Sequence, residues 1–121
     1  MGLASETYLQ GACEAECPVR RAAEVLEGKW TTLIVRELVS GVKRYSELQR
    51  ALAGISPKIL ADRLALLQVK GLVVKTIYPC VPPKTEYELT PLGREMEKVI
   101  RAMAEFGLML QAAGEATSAR P

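Results

Sequence analysis

A mainly α domain carrying one small β-hairpin is the fold this sequence predicts, and three observations predict it. Two stretches, Ser56-Pro57 and Thr90-Pro91, place a capping hydroxyl before a proline and lead into apolar residues at helical spacing. The helical period gives way once, between Leu72 and Leu89, to β-branched and alternating residues around a proline-rich tip. The 121 residues are 49% hydrophobic and 25% charged, which suits one domain with a single modest core.

The elements follow in order. Residues 1–16 have weak patterning and read as an arm. Cys17-Pro18 opens a helix whose stripe is Val19, Ala22, Ala23 and Leu26, with Gly28 closing it. Trp30 begins a second helix; Trp30, Leu33, Ile34 and Leu38 face inward, and Val35 and Val39 widen the face almost all the way round. Val42 to Tyr45 is a short extended link. Ser46 to Gln49 reads as a capping box with Ser46 as the cap, and Leu48 and Leu52 face inward.

Gly54 to Gly71 is the stretch the rest is arranged around. Ser56 caps, Pro57 takes the first helical position, and Leu60, Leu64 and Leu67 form one inward stripe. Lys58, Asp62 and Ala65 point away from it, and Arg63 lies on its flank. Helix, glycine-containing turn and second helix is the pattern of a DNA-binding helix-turn-helix, although an ordinary helical hairpin shares it. Leu72 to Tyr78 then reads as a strand. Pro79-Cys80-Val81-Pro82-Pro83 interrupts the ladder, and Lys84 to Leu89 returns as a second strand. From Thr90-Pro91 one long helix is expected, with Leu92, Met96, Val99, Ile100, Met103, Phe106 and Leu110 on one stripe. About six turns, or roughly 30 Å, exceed what a small core needs, so the stripe is expected to pack on a second copy. The expected division is an arm at 1–16, a DNA-binding unit at 17–90, a dimerisation helix at 91–114 and a disordered tail at 115–121.

Composition narrows the chemistry. Histidine is absent, which removes the commonest general base and the commonest metal ligand. Ser–His and Cys–His catalysis and imidazole zinc sites are excluded, so neither an enzyme, a cofactor nor a metal is expected. No apolar run is long enough for a bilayer, and MGLASETYLQ lacks the order of a secretory signal; a cytoplasmic protein with no membrane partner is expected. The net charge is +2, but residues 43–84 carry eight basic groups against Glu47 and Asp62. Such a block is the footprint expected for a polyanion.

Hairpin, helix-turn-helix and terminal helix together make a winged helix-turn-helix. The chain resembles the HxlR-type winged-helix transcriptional regulators of bacteria. Carrying the resemblance are Cys17-Pro18-Val19, Gly28-Lys29-Trp30, Arg36-Glu37-Leu38 with Gly41, Arg44-Tyr45-Ser46-Glu47-Leu48 and Gly54-Ile55-Ser56. Leu60, Leu64, Leu67, Gly71-Leu72-Val73, Tyr78-Pro79, Val81-Pro82-Pro83, Glu86-Tyr87 and Leu89-Thr90-Pro91-Leu92-Gly93 complete it. The resemblance implies a homodimer on a pseudo-palindromic operator in the bacterial cytosol, associated with the nucleoid. It implies that the helix from Ser56 enters the major groove, that the wing beside Lys75 and Lys84 touches the neighbouring minor groove or its phosphates, and that the first and last helices form the dimer interface, here Val19 with Met96, Val99, Ile100, Met103, Phe106 and Leu110.

The residues agree with that placement. Ser56 and Lys58 sit at a helix start, where backbone N–H groups favour acceptors. Lys58, Ile59, Asp62 and Arg63 are the candidates to reach the groove. Lys43 and Arg44 are expected phosphate clamps, with Ser46 and Pro57 at the two helix starts beside them. Asp62 either accepts from a cytosine amino group or pairs with Lys58 at i, i+4.

The three cysteines, Cys13, Cys17 and Cys80, have no metal spacing. By resemblance Cys17 senses oxidants or electrophiles, which adds a thiol-reactive small molecule to the partners. Independently, a helix N-terminus with Arg20 and Arg21 in its first turn favours thiolate there, against Glu14 and Glu16. Cys13 stands as a resolving thiol, although a bridge over so short a span is strained. Cys80 departs from the polar or acidic residue expected at the wing tip. Two other functions fit the same scaffold: a ligand-responsive or constitutive regulator, and a module that binds protein instead of DNA.

Overall fold

The computed structural model describes residues 17–116; the expected arm, with Cys13, lies outside them. The elements are α1 (Pro18–Val25), α2 (Lys29–Val39), β1 (Lys43–Arg44), α3 (Tyr45–Ala51), α4 (Pro57–Val69), β2 (Val73–Tyr78), β3 (Lys84–Leu89), α5 (Pro91–Arg94) and α6 (Met96–Ala116). Three antiparallel strands lie in the order β1-β3-β2. The hairpin register runs from Val73 opposite Leu89 to Tyr78 opposite Lys84. Lys43 and Arg44 pair with Tyr87 and Glu86, so the link read only as extended chain is a third strand.

The core is built from the expected stripes. Ile34, Val35 and Leu38 of α2 meet Leu48 of α3, Leu60, Leu64 and Leu67 of α4, and Val73, Tyr87 and Leu89 of the sheet. Caps fix where the helices start. Ser56 Oγ accepts from the Ile59 N–H at 3.1 Å, and Thr90 Oγ1 accepts from the Gly93 N–H at 2.9 Å. α4 ends as Gly71 turns to φ +77. The Leu72 N–H then bonds the Leu67 carbonyl and the Gly71 N–H bonds that of Gln68, both at 2.9 Å, which satisfies the last carbonyls of the helix.

Four expectations need correcting. α1 buries none of its residues, and Val19 is 54% exposed; within one chain its stripe meets only the core's edge, through half-buried Val25 and through Leu26 just beyond the helix. The cap of α3 is Arg44, not Ser46: the Arg44 N–H donates to Glu47 Oε1 at 2.7 Å, because β1 delivers the chain into the helix one residue after the strand. The last helix is two, with a break at Glu95 between α5 and α6. Met96, assigned to the stripe between copies, is buried at 8% exposure in the chain's own core, with Ile100 packed beside it. The helix extends to Ala116, two residues past its expected end at 114.

Candidate nucleic-acid interface

α3, the turn at Gly54 and α4 form the helix-turn-helix, and three side-chain bonds set its geometry. Tyr45 Oη donates to the Pro57 carbonyl at 3.0 Å and ties the start of α3 to the first turn of α4. Gln49 Nε2 donates to the Ile55 carbonyl at 3.4 Å inside the turn. Ser56 caps α4. With Leu60, Leu64 and Leu67 buried, Pro57, Lys58, Ile59, Ala61, Asp62 and Ala65 are left facing solvent.

Lys58 Nζ lies 3.0 Å from Asp62 Oδ2, with the two side chains 83% and 62% exposed. Of the alternatives open for Asp62, the free chain adopts the i, i+4 pair, an exposed contact worth a few tenths of a kcal/mol. Arg63 differs from these neighbours. It is half-buried, its Nε is shielded from solvent without a hydrogen-bond partner, and its guanidinium lies against Gly28. It turns back to the protein and not out with Lys58.

The other candidate cations lie on β1 and the hairpin. Arg44 and Lys75 are exposed and Lys43 is half-buried, its Nζ donating to Ser40 Oγ at 2.7 Å. Lys84 Nζ lies 3.8 Å from Glu86 Oε2 and 4.9 Å from the centre of the Tyr78 ring. A hydrogen bond to Glu86, followed by that carboxylate's charge, raises the Tyr78 hydroxyl above its usual range. Between the wing tip and the start of α3 lies a cleft of about 630 Å³ that brings Arg44, Ser46, Cys80 and Lys84 together. The sequence left them as separate marks. Tyr45 was missed as well; its signal was an aromatic hydroxyl on a short polar helix just ahead of the turn. A second cleft, of about 620 Å³, lies between α1 and α6 and includes Val25, Leu72, Met96 and Val99.

The cysteines are placed unequally. Cys17 caps α1, is buried, and is disulfide-bonded, so it is not presented as a thiolate. Cys80 is a free, exposed thiol at the wing tip that donates to the Pro82 carbonyl at 3.2 Å. Among the described residues no group of acidic or cysteine side chains could hold a metal, and no helix is long and apolar enough to cross a membrane.

The fold and motif order match one family model, the HxlR-like helix-turn-helix, over residues 25–114. The chain belongs to the HxlR-like helix-turn-helix family. It is 41% identical over 91 residues to the HTH-type transcriptional regulator sll1512 of Synechocystis, covering 75% of this chain and 67% of that one. A solved regulator of Porphyromonas gingivalis, described as of the MarR family, superposes with a TM-score of 0.78 at 46% identity, over 81% of this chain and 96% of that one. The redox regulator HypR in its oxidised form superposes with a TM-score of 0.72 at 35% identity, over 77% and 96%. The class that these HxlR-like relatives share, and to which this protein belongs, is transcriptional regulation of the helix-turn-helix type.

Proposed function

We propose that this HxlR-like protein is a homodimer that binds a pseudo-palindromic operator, with the two α4 helices in successive major grooves and its affinity set by the state of its thiols. The observation that carries the reading is the outward face of α4: capped by Ser56, pinned by Tyr45 and led by Lys58, it is the one side of that helix not used by the core. Lys43, Arg44, Lys75 and Lys84, on β1 and the hairpin, supply the attraction to phosphate. The exposed apolar face of α6, at Val99, Met103, Phe106 and Leu110, together with Val19 of α1, supports pairing. Pairing places the two reading helices about 34 Å apart, one turn of duplex.

The redox part of the reading is supported by the kinship with HypR and by Cys17 at the cap of a helix that buries nothing. Diamide takes two hydrogens from two thiols as they join into a disulfide, and a dithiol reductant returns them. Cys17→Ser is expected to bind the operator as the reduced wild type does and to ignore diamide; continued response moves the sensor to Cys80 or Cys13. The cleft between α1 and α6 favours a second reading, in which a small apolar ligand replaces the thiol as the signal.

Fluorescence anisotropy on promoter fragments at 50 and 200 mM salt tests the reading. With about six phosphate contacts, affinity falls roughly a thousandfold across that range. A flat salt response, or a monomer at micromolar concentration, ends it.

A further inference from the structure

Arg63 is the residue on α4 that the fold treats unlike its neighbours. Its guanidinium ends beside the α1–α2 turn, where a Cβ on Gly28 would stand in ordinary contact, 3.4 Å from Nη2 and 3.9 Å from Cζ. Gly28 is the cap of α2, at φ +82, and carries the chain from α1 into α2. Arg63 forms no ion pair and no hydrogen bond among the described residues, and its Nε is buried. The start of a helix is a positive pole, so charge does not draw a cation there. Shape remains: a flat, rigid group ending against the turn at van der Waals range.

The position on the helix gives that contact a purpose. Leu60, Leu64 and Leu67 lie on one line, and a helix resting on one line of contacts can roll about it. Tyr45 holds the first turn at Pro57 and the Gly71 turn holds the last. Arg63 touches the α1–α2 turn from the flank, midway between them.

We propose that Arg63 is a positioning residue that braces α4 against the α1–α2 turn, fixing the tilt at which Lys58 meets the duplex, and that it reads no base itself. The inference rests on α4 being the recognition helix.

Two conservative variants separate bracing from direct contact with DNA. Arg63→Gln removes the charge and is too short to reach the Gly28 turn; Arg63→Lys keeps the charge without the plane. Each is titrated against the operator and against a scrambled duplex at several salt concentrations, with Lys58→Ala as the control and a thermal melt to confirm folding. A brace predicts that Arg63→Lys and Arg63→Gln each lose about tenfold on the operator, comparable to one mismatched base pair, with scrambled-DNA affinity and salt slope unchanged. The proposal is overturned if Arg63→Gln weakens both duplexes alike and lowers the salt slope by about one, the signature of a phosphate contact. It is equally overturned if both variants match the wild type while Lys58→Ala loses affinity. If Lys58→Ala also binds normally, the reading of α4 falls with it.

Discussion

A Cβ placed on Gly93 would overlap the carbonyl oxygen of Leu72, and the same carbonyl accepts from the Thr90 N–H at 3.0 Å. Thr90 Oγ1 closes the junction by donating to the Gly71 carbonyl at 2.7 Å. The end of α4, the start of β2 and the start of α5 are therefore locked through backbone, with no flexible side chain able to yield. Gly93→Ala is expected to cost about 2–3 kcal/mol, which lowers Tm by about 10–20 °C. A melt within a few degrees of the wild type would mean that the junction shifts more readily than its hydrogen bonds allow.

Ser56 supplies the only side-chain cap of α4. Ser56→Ala should destabilise the protein by about 1 kcal/mol and loosen the turn that carries Lys58. Operator affinity then falls while the wing is untouched. Urea unfolding and DNA titration on the same preparation check the two effects together; Ser56→Asp, which restores an acceptor, should recover the stability.

Phe106 and Met103 are 61% and 46% exposed on the single chain. Phe106→Asp is expected to convert a dimer to a monomer in light scattering and to abolish operator binding. Because Phe106 does not contribute to the chain's own core, the far-UV circular dichroism of the monomer should stay unchanged. An aspartate variant that remains dimeric would place the interface elsewhere.

Tyr87 sets an alkaline limit. Burial, and then the nearby Tyr45, raise its hydroxyl above the usual tyrosine range. The folded form thus holds this proton more tightly than the unfolded form. The resulting stability is complete below about pH 10, the unfolded value, and is lost as pH rises through the folded one. Urea midpoints at pH 8 and pH 11 should differ less in Tyr87→Phe than in the wild type; an equal difference assigns the alkaline loss to another group.

What the sequence revealed and what it hid follow from the range of the forces involved. Ser56-Pro57 and Thr90-Pro91 were legible because a cap is settled within four residues, and Leu60, Leu64 and Leu67 because one period describes them. Met96 and Phe106 lie on the same stripe in sequence, yet one belongs to the chain's own core and the other faces outward; periodicity identifies a face but not what covers it. Arg63 was a candidate for the groove because nothing local tells that it ends beside Gly28, 35 residues earlier. The cleft holding Arg44, Ser46, Cys80 and Lys84 exists only after the hairpin folds beside α3.

The Lys58–Asp62 pair has one more consequence. Its charges offset each other, so under the proposed function the start of α4 would add little general pull toward DNA, and exposed cations such as Arg44 and Lys75 would carry most of it. Holding the polymer and inspecting its bases would then fall to different side chains, and a base edge able to take over both partners of the pair is what would halt the helix.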